Sequence, residues 1–258
     1  MTVSTGIASR WVAACAAVTF LLAVGCGGGD DAASQPAKPR AAGPSAAGGV
    51  GVVRGTVSLK GEPPMMREIA NQPCHAGATP LLEETVVADE KGRLANVVVF
   101  LREAPPAGNA AEAAPVELDQ VNCQYVPHVL AMTTGQSLRV KTSDPAVHNV
   151  HTTSSDNPAR NFGMQAGSAP VDMKFDRPED VVVKCDVHPW MNARVHVFEH
   201  DQFAVTGEDG SFTLNAVPAG QYTVVFRHEL FGDIEEVVDV AAARTLTQDA
   251  TYEKPGND

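Results

Sequence analysis

The sequence predicts an all-β protein, a sandwich or a barrel, because three features agree. Short β-branched or alternating runs recur along it: VVVFLRE from Val97, QSLRVKT, EDVVVKC, ARVHVFEH, GSFTLNAV and QYTVVFRHE. Gly, Pro and Asp divide these runs, as turns between strands require. No long segment of 3.6-residue period competes with them. About 200 residues carry this pattern, which suits one large or two small domains.

The chain before them reads as an export signal and a tether. Arg10 is the one cation of the first ten residues, and the apolar run over residues 11–24 is too short to span a bilayer as a helix, so residues 1–25 are expected to be a signal peptide. The run ends in LLAVGCGGG, which resembles the bacterial lipobox and makes Cys26 the lipidation site, although Ala23 stands where Leu is commoner. Export without a lipid is the alternative. Residues 27–49 contain only Gly, Ala, Ser, Pro, Asp, Gln, Lys and Arg. Such a composition buries too little apolar surface to repay its ordering entropy. Residues 26–50 are therefore expected to be a lipidated Cys and a flexible linker, roughly 25 Å long on average as a coil. The implied location is periplasmic or cell-surface in a bacterium, with the lipid anchor as the sole membrane contact.

Loss of the signal removes Arg10 and no acid, leaving 18 basic against 31 acidic residues and a net charge of −13. That balance argues against nucleic acid as a partner. It suits a basic protein surface, or serves solubility alone. Of five cysteines, Cys15 leaves with the signal, Cys26 is the lipid site and Cys185 belongs to the motif below. Cys74 and Cys123 remain as an even pair in an oxidising compartment, for which a disulfide is the favoured reading. His75 beside Cys74 keeps a second metal site open, whereas Asn71 stands where a C-x-x-C-H haem motif needs its first Cys.

The stretch KCDVHPWM places Cys185, His188 and Met191 at three-residue intervals. A Cys and a His so spaced on a tight loop can aim thiolate and imidazole at one point, and a Met three further on can approach from a third side. SDPAVHNVH then offers His148 from another strand, after a turn at Asp144-Pro145. Two His, one Cys and a weak axial Met form a set that suits copper in electron transfer.

Here the stretch resembles the type 1 copper loop of the cupredoxins, and CDVHPWM is most similar to the short C-x-x-H-x-x-M loop of amicyanins and plastocyanins. The likeness covers residues 116–200: CQYVPHVLAMTTGQSLRV, SDPAVHNV and MNARVHVF resemble that family's aromatic-x-Pro and strands, its first-ligand segment and its closing strand. It implies a Greek-key sandwich holding one type 1 copper through His148, Cys185 and His188, with Met191 axial and Asn149 fastening the ligand loop. It also implies docking of redox partners, such as a c-type cytochrome or a dehydrogenase, beside His188 at Pro189 and Trp190. The alternative for Trp190 is an inward-packed support. Two positions depart from the family: Asp186 replaces the usual Thr or Ser, and FDRPEDVVVKC lacks its Pro-Gly and Tyr pair, so the loop is expected to be held differently. His128 is expected to be structural, and His151, His196, His200 and His228 to be surface or strand-face residues.

FAVTGEDGSFTLNAVPAGQYTVVFRHE resembles the carboxypeptidase regulatory-like, transthyretin-like sandwich family in its D-G-x-F and P-x-G-x-Y turns, and GVVRGTVSLKGEPP resembles that family's opening strand. The expected fold is thus a cupredoxin sandwich, residues 116–200, with a second, smaller transthyretin-like β-sandwich formed by residues 51–115 with 201–254. The alternative packs 51–115 onto the cupredoxin as extra strands. Residues 104–114, rich in Ala, are expected to be a surface excursion. Lys184 and Asp186 stand where a multicopper oxidase has His, Val181 where a dinuclear centre has a second Cys, and no P-loop, G-x-S-x-G or H-E-x-x-H motif occurs. The expectation is a one-electron carrier and not an enzyme. Copper storage or delivery, and a structural or carbohydrate-binding lipoprotein, are the alternatives.

Overall fold

The computed structural model describes residues 41–45, 48–69, 74–75, 80–108 and 112–254. The expected signal and Cys26 lie outside them. The chain is all-β. Its first strands are β1 (Gly43–Pro44), β2 (Val50–Lys60), β3 (Glu68–Ile69), β4 (Leu81–Leu82) and β5 (Val98–Leu101). Then follow β6 (Val116–Val121), β7 (Gln124–Val126), β8 (Val129–Thr133), β9 (Ser137–Thr142), β10 (His148–Thr153), β11 (Asn161–Met164), β12 (Val171–Lys174), β13 (Glu179–Lys184) and β14 (Asn192–Phe198). The last six are β15 (Phe203–Val205), β16 (Ser211–Pro218), β17 (Gly220–His228), β18 (Gly232–Val240), β19 (Thr245–Thr247) and β20 (Ala250–Glu253).

Strands from the two ends of the described chain pair with each other. One sheet runs β1-β17-β5-β15 with β18 along the other side of β17, and the facing sheet joins β16, β2, β19 and β20. Gly51, Val53, Val57 and Leu59 of β2 point inward at the period of two that a half-buried strand requires. Val53, Val57 and Leu59 meet Phe212, Leu214, Tyr222, Val224 and Phe226 in one core. The linker expected over residues 26–50 does not extend to residues 43–44, because Gly43 pairs with Gln221 and Pro44 with Gly220. A Cβ at Gly220 would lie 2.5 Å from the Gly43 carbonyl oxygen, so this pairing depends on glycine.

Strands β3 and β4 pair as a separate two-stranded sheet, and β6 to β14 form two more sheets, β11-β10-β13-β14-β8 and β12-β9-β6-β7. Successive strands β8, β9 and β10 alternate between the latter two sheets, and β6–β9 and β8–β14 run parallel, so the chain crosses repeatedly from one sheet of the sandwich to the other. Their core contains Leu118, Tyr125, Met132, Leu138, Val140 and Phe175, together with Cys185 and Met191.

β5 explains how the two pairs of sheets adhere. Its run VVFL is buried at every position, as a strand covered on both faces should be. Val99 and Leu101 enter the first core, whereas Val98 and Phe100 face outward onto Val129 of β8 and Phe198 of β14. Phe100 and Phe198 lie 4.8 Å apart between ring centroids. Charged pairs border this seam: Arg227 Nη1 reaches Asp180 Oδ2 at 2.6 Å, and Arg194 Nη2 reaches Glu229 Oε2 at 2.7 Å. His128, structural as expected, meets the same Glu229 and the Asn192 carbonyl. A disulfide between Cys74 and Cys123, Cα atoms 5.8 Å apart, links the segment between β3 and β4 to the β6–β7 turn. Of the Ala-rich stretch, the described residues 104–108 and 112–114 are half-buried or exposed.

Two outcomes are expected. A Cβ at Gly55 would stand 2.0 Å from the Gln248 carbonyl oxygen, so Gly55→Ala should lose about 1–3 kcal/mol in a denaturant melt through overpacking. An unchanged midpoint would show that the backbone before β20 yields freely. The double variant Cys74→Ser/Cys123→Ser opens a loop of 49 residues. It should lose about 4 kcal/mol by chain entropy, read as a lower unfolding midpoint that adding a reductant no longer shifts.

Candidate metal centre

β13 delivers the thiol by simple alternation. Val181 and Val183 point into the core, and Cys185 is the next inward position, 2% exposed. The chain then turns back on itself. The Met191 N–H donates to the His188 carbonyl at 2.9 Å, and the Cys185 N–H donates to the Met191 carbonyl at 3.0 Å. These bonds close the loop of residues 185–191 at its neck, which places Cys185 and Met191 side by side with His188 between them in sequence. Met191 is buried in the same core.

His148 opens β10, where alternation turns His148, Val150 and Thr152 inward. β10 pairs antiparallel with β13, His151 against Lys184, so its first residues run past the end of β13 to the loop. His148 Nδ1 lies 2.9 Å from His188 Nδ1, and Cys185 Sγ lies 3.8 Å from the same His188 atom. The three donor atoms all fall within 4.8 Å of one another. Metal bonds of about 2.3 Å to sulfur and 2.0 Å to nitrogen, at roughly trigonal angles, require about 3.7 Å between sulfur and nitrogen and about 3.5 Å between the two nitrogens. The donor set therefore fits a single ion held by one thiolate and two imidazoles: the sulfur–nitrogen spacing matches, and the two imidazoles, now at hydrogen-bond distance, would part slightly to admit it.

The electrostatics favour a thiolate. Burial alone would raise the Cys185 thiol, but the hydrogen bond from His148 and the backbone N–H groups of Asn149, His188 and Val187 outweigh it and lower its pKa. Burial works against the charged form of His148 as well, and there the thiolate and Asp144 prevail, so its pKa rises. His188 moves down, through burial and then through repulsion from His148.

The loop is held at Asp186 by bonds from its carboxylate to three side chains and from its backbone N–H to one of them. Asn149 Oδ1 accepts the Asp186 N–H at 2.6 Å, and Asn149 Nδ2 donates to Asp186 Oδ2 at 2.9 Å. Asn161 Nδ2 donates to the same carboxylate, and His151 Nδ1 lies 3.0 Å from Asp186 Oδ1. His151 first, then Asn149, holds this exposed carboxyl below its usual pKa. A carboxylate offers more acceptor sites than a Thr or Ser hydroxyl, and Asp186 collects three side chains.

Two residues have a part here that the sequence does not assign them, although Tyr125 stands out as the aromatic of an aromatic-x-Pro match. Tyr125, fully buried, donates its hydroxyl to the Asn149 carbonyl at 2.6 Å and lies 3.3 Å from the Lys184 carbonyl, bracing β10 and β13 just before the donors. Asp144 was legible only as a turn residue, yet its Oδ2 lies 2.9 Å from His148 Nε2.

The remaining candidates are placed as follows. Cys74 and Cys123 are bonded to each other, with their sulfurs within 4.8 Å of a ring nitrogen of His188. Pro189 is exposed. Trp190 is half-buried, donates its indole N–H to the Cys123 carbonyl at 3.1 Å, and lies 5.3 Å from the His188 ring. Of the histidines expected at the surface or on a strand face, His200 is neither, because it is buried between β14 and β15, and His228 lies in β17 but faces inward. His200 is 7% and His228 1% exposed, because each packs against aromatic rings, Phe198 and Phe231 respectively. Burial brings His228 down to about 4. His196 does sit on a strand face, bonded to Asp180 at 2.7 Å.

A family model described as carboxypeptidase regulatory-like domain matches residues 181–253. No curated protein matches the sequence. Among solved structures, a copper-containing nitrite reductase from Thermus scotoductus SA-01 is similar at 21% identity and TM-score 0.32 over 37% of this chain, which spans only 25% of that one. A reduced amicyanin in which one tryptophan is replaced by tyrosine is similar at 21% identity and TM-score 0.30, covering 38% of this chain and 97% of its own. A purple cupredoxin from Nitrosopumilus maritimus is similar at 19% identity and TM-score 0.28, over 33% of this chain and 99% of its own.

Proposed function

We propose that the chain is an exported one-electron carrier that holds one type 1 copper through His148, Cys185 and His188, with Met191 as the axial neighbour. The observation that carries this reading is the convergence of one thiol and two imidazole nitrogens within 4.8 Å at the neck of a closed loop. Copper bound there would supply a single reversible electron. The protein's part is to keep Cys185 as a thiolate through the backbone N–H groups of Asn149, His188 and Val187, to hold both imidazoles at fixed angles and to exclude water with the core around Met191. A thiolate-bearing trigonal set with a weak thioether suits this metal and this task. Burial of Cys185 and Met191 favours a resident metal over one passed on in delivery.

Of the three donors His188 is the least buried, so electrons would cross at its edge. Val147 and Val187, 56% and 54% exposed, flank it together with exposed Pro189 and offer a partner an apolar surface. Trp190 would support that rim from within, since its indole N–H is already committed to Cys123. A c-type cytochrome or a dehydrogenase would be such a partner. Export and a lipid on Cys26 would put the carrier at a membrane surface, and no catalytic role is assigned to any residue.

Copper-loaded protein should show an intense thiolate charge-transfer band that ascorbate bleaches, and Cys185→Ser should abolish it. Persistence of the band in that variant would end the copper reading. Met191→Gln should keep the band and lower the reduction potential, because an oxygen ligand favours Cu(II) more than a thioether does; an unchanged or raised potential would remove Met191 from the axial position.

A further inference from the structure

Behind His148 the polar contacts lead away from the donor cluster to one carboxylate. The Asp144 side chain is 4% exposed. Its Oδ2 lies 2.9 Å from His148 Nε2 and accepts the Cys123 N–H at 2.8 Å, while its Oδ1 accepts the Asn122 N–H at 2.6 Å. A carboxylate there can only accept, so His148 Nε2 must carry the proton of that bond. In the neutral ring this leaves Nδ1 with the free lone pair, and Nδ1 is the atom 2.9 Å from His188 Nδ1. The ring is thus oriented and its tautomer selected by a residue four positions earlier in the chain.

We propose that Asp144 is a positioning residue that locks His148 in its Nδ1-donor form and lends the ring negative charge, thereby favouring the oxidised metal and lowering the potential of the site. This rests on the copper reading above. The physical basis is general: a carboxylate bonded to the far nitrogen of a ligating imidazole fixes its orientation and raises its basicity. A stronger donor stabilises the more highly charged metal ion more than the less charged one.

Asp144 is in turn held by the backbone of the β6–β7 turn. Asn122 and Cys123 take positive φ, 53° and 58°, which directs two successive N–H groups at the one carboxylate. The same turn braces the other side of the site, because the Cys123 carbonyl accepts the Trp190 indole N–H and Cys123 is bonded to Cys74. One covalently anchored turn therefore holds both His148, through Asp144, and the His188 to Met191 side of the loop, through Trp190.

Metal-free protein, copper-loaded protein and the variants Asp144→Asn and Asp144→Ala decide the matter. Nitrogen-15 NMR of the metal-free wild type, recorded at a pH at which His148 is neutral, should show the ring protonated at Nε2; a neutral ring with its proton on Nδ1 would overturn the proposal without any variant. Asp144→Asn keeps an oxygen for the Nε2–H but no charge, so the tautomer should persist. Its Cu(II) affinity should fall roughly 10- to 100-fold, with Cu(I) affinity changing less. Each tenfold change in the ratio of the two affinities raises a one-electron potential by about 59 mV. Asp144→Ala should lose the single tautomer as well. A potential in Asp144→Asn equal to that of the wild type would reduce Asp144 to a turn-former and overturn the proposal. Failure of the wild type to develop a thiolate-to-copper band is a separate result: it would sink the copper reading, while the NMR spectrum would still report whether Asp144 selects the tautomer.

Discussion

Burying an imidazole, a thiol and a carboxylate together in an apolar core is the constraint around which this molecule is arranged. Each group alone would cost several kcal/mol to desolvate in a charged form. His148, Cys185 and Asp144 avoid that cost only by being one another's partners, with backbone N–H groups from Asn122, Cys123, Asn149, Val187 and His188 supplying the rest. The cluster therefore has few alternatives to the geometry it adopts. Displacing any one member would leave the others buried and unpaired, which is a stronger restraint than loop stiffness.

On the solvent side of the same loop the problem is different, because Asp186 is exposed and its bonds are individually weak. Their worth is in number and direction. Asn149 reaches across from β10 to bond both the backbone and the side chain of Asp186, while Asn161 of β11 and His151 of β10 converge on the same carboxylate. Three side chains from two neighbouring strands thus fix the residue that follows Cys185. The inner face is set by burial and the outer face by a hydrogen-bond net, and the thiol lies between them.

Much of this was legible in the sequence. The β-branched runs mark β5, β13, β14, β16 and β17, and the C-x-x-H-x-x-M spacing with a distant H-N segment marks the four candidate ligands. What stayed hidden has physical reasons. β1 pairs through the backbone of Gly43 and Pro44, so composition reads it as linker. β18 is a nine-residue strand with exposed Asp233, Glu236 and Asp239, a solvated pattern with little apolar alternation to announce it. Asp144 and Tyr125 act through contacts set by tertiary packing, and Asp144 resembles any turn-forming Asp before Pro. His200 and His228 are buried against rings that lie near them only after folding.

The matched family segment, residues 181–253, starts inside β13 and so crosses from one pair of sheets into the other. β14 makes sense of that continuity. Its Ala193, Val195 and Val197 enter the core that contains Cys185 and Met191, whereas Phe198 turns to the seam and stacks on Phe203 and Phe100. The neck of the candidate metal loop is therefore rooted on a strand held from both sides, by its own sandwich and by the one that β5 and β17 bring against it. A centre that exchanges electrons works best when its donors keep one arrangement in both oxidation states, since preorganised groups cost no reorganisation at the moment of transfer. Under the copper reading, the second sandwich need not touch the metal to serve it: by burying the far face of β14 it removes the freedom that the loop would otherwise inherit from its own supporting strand.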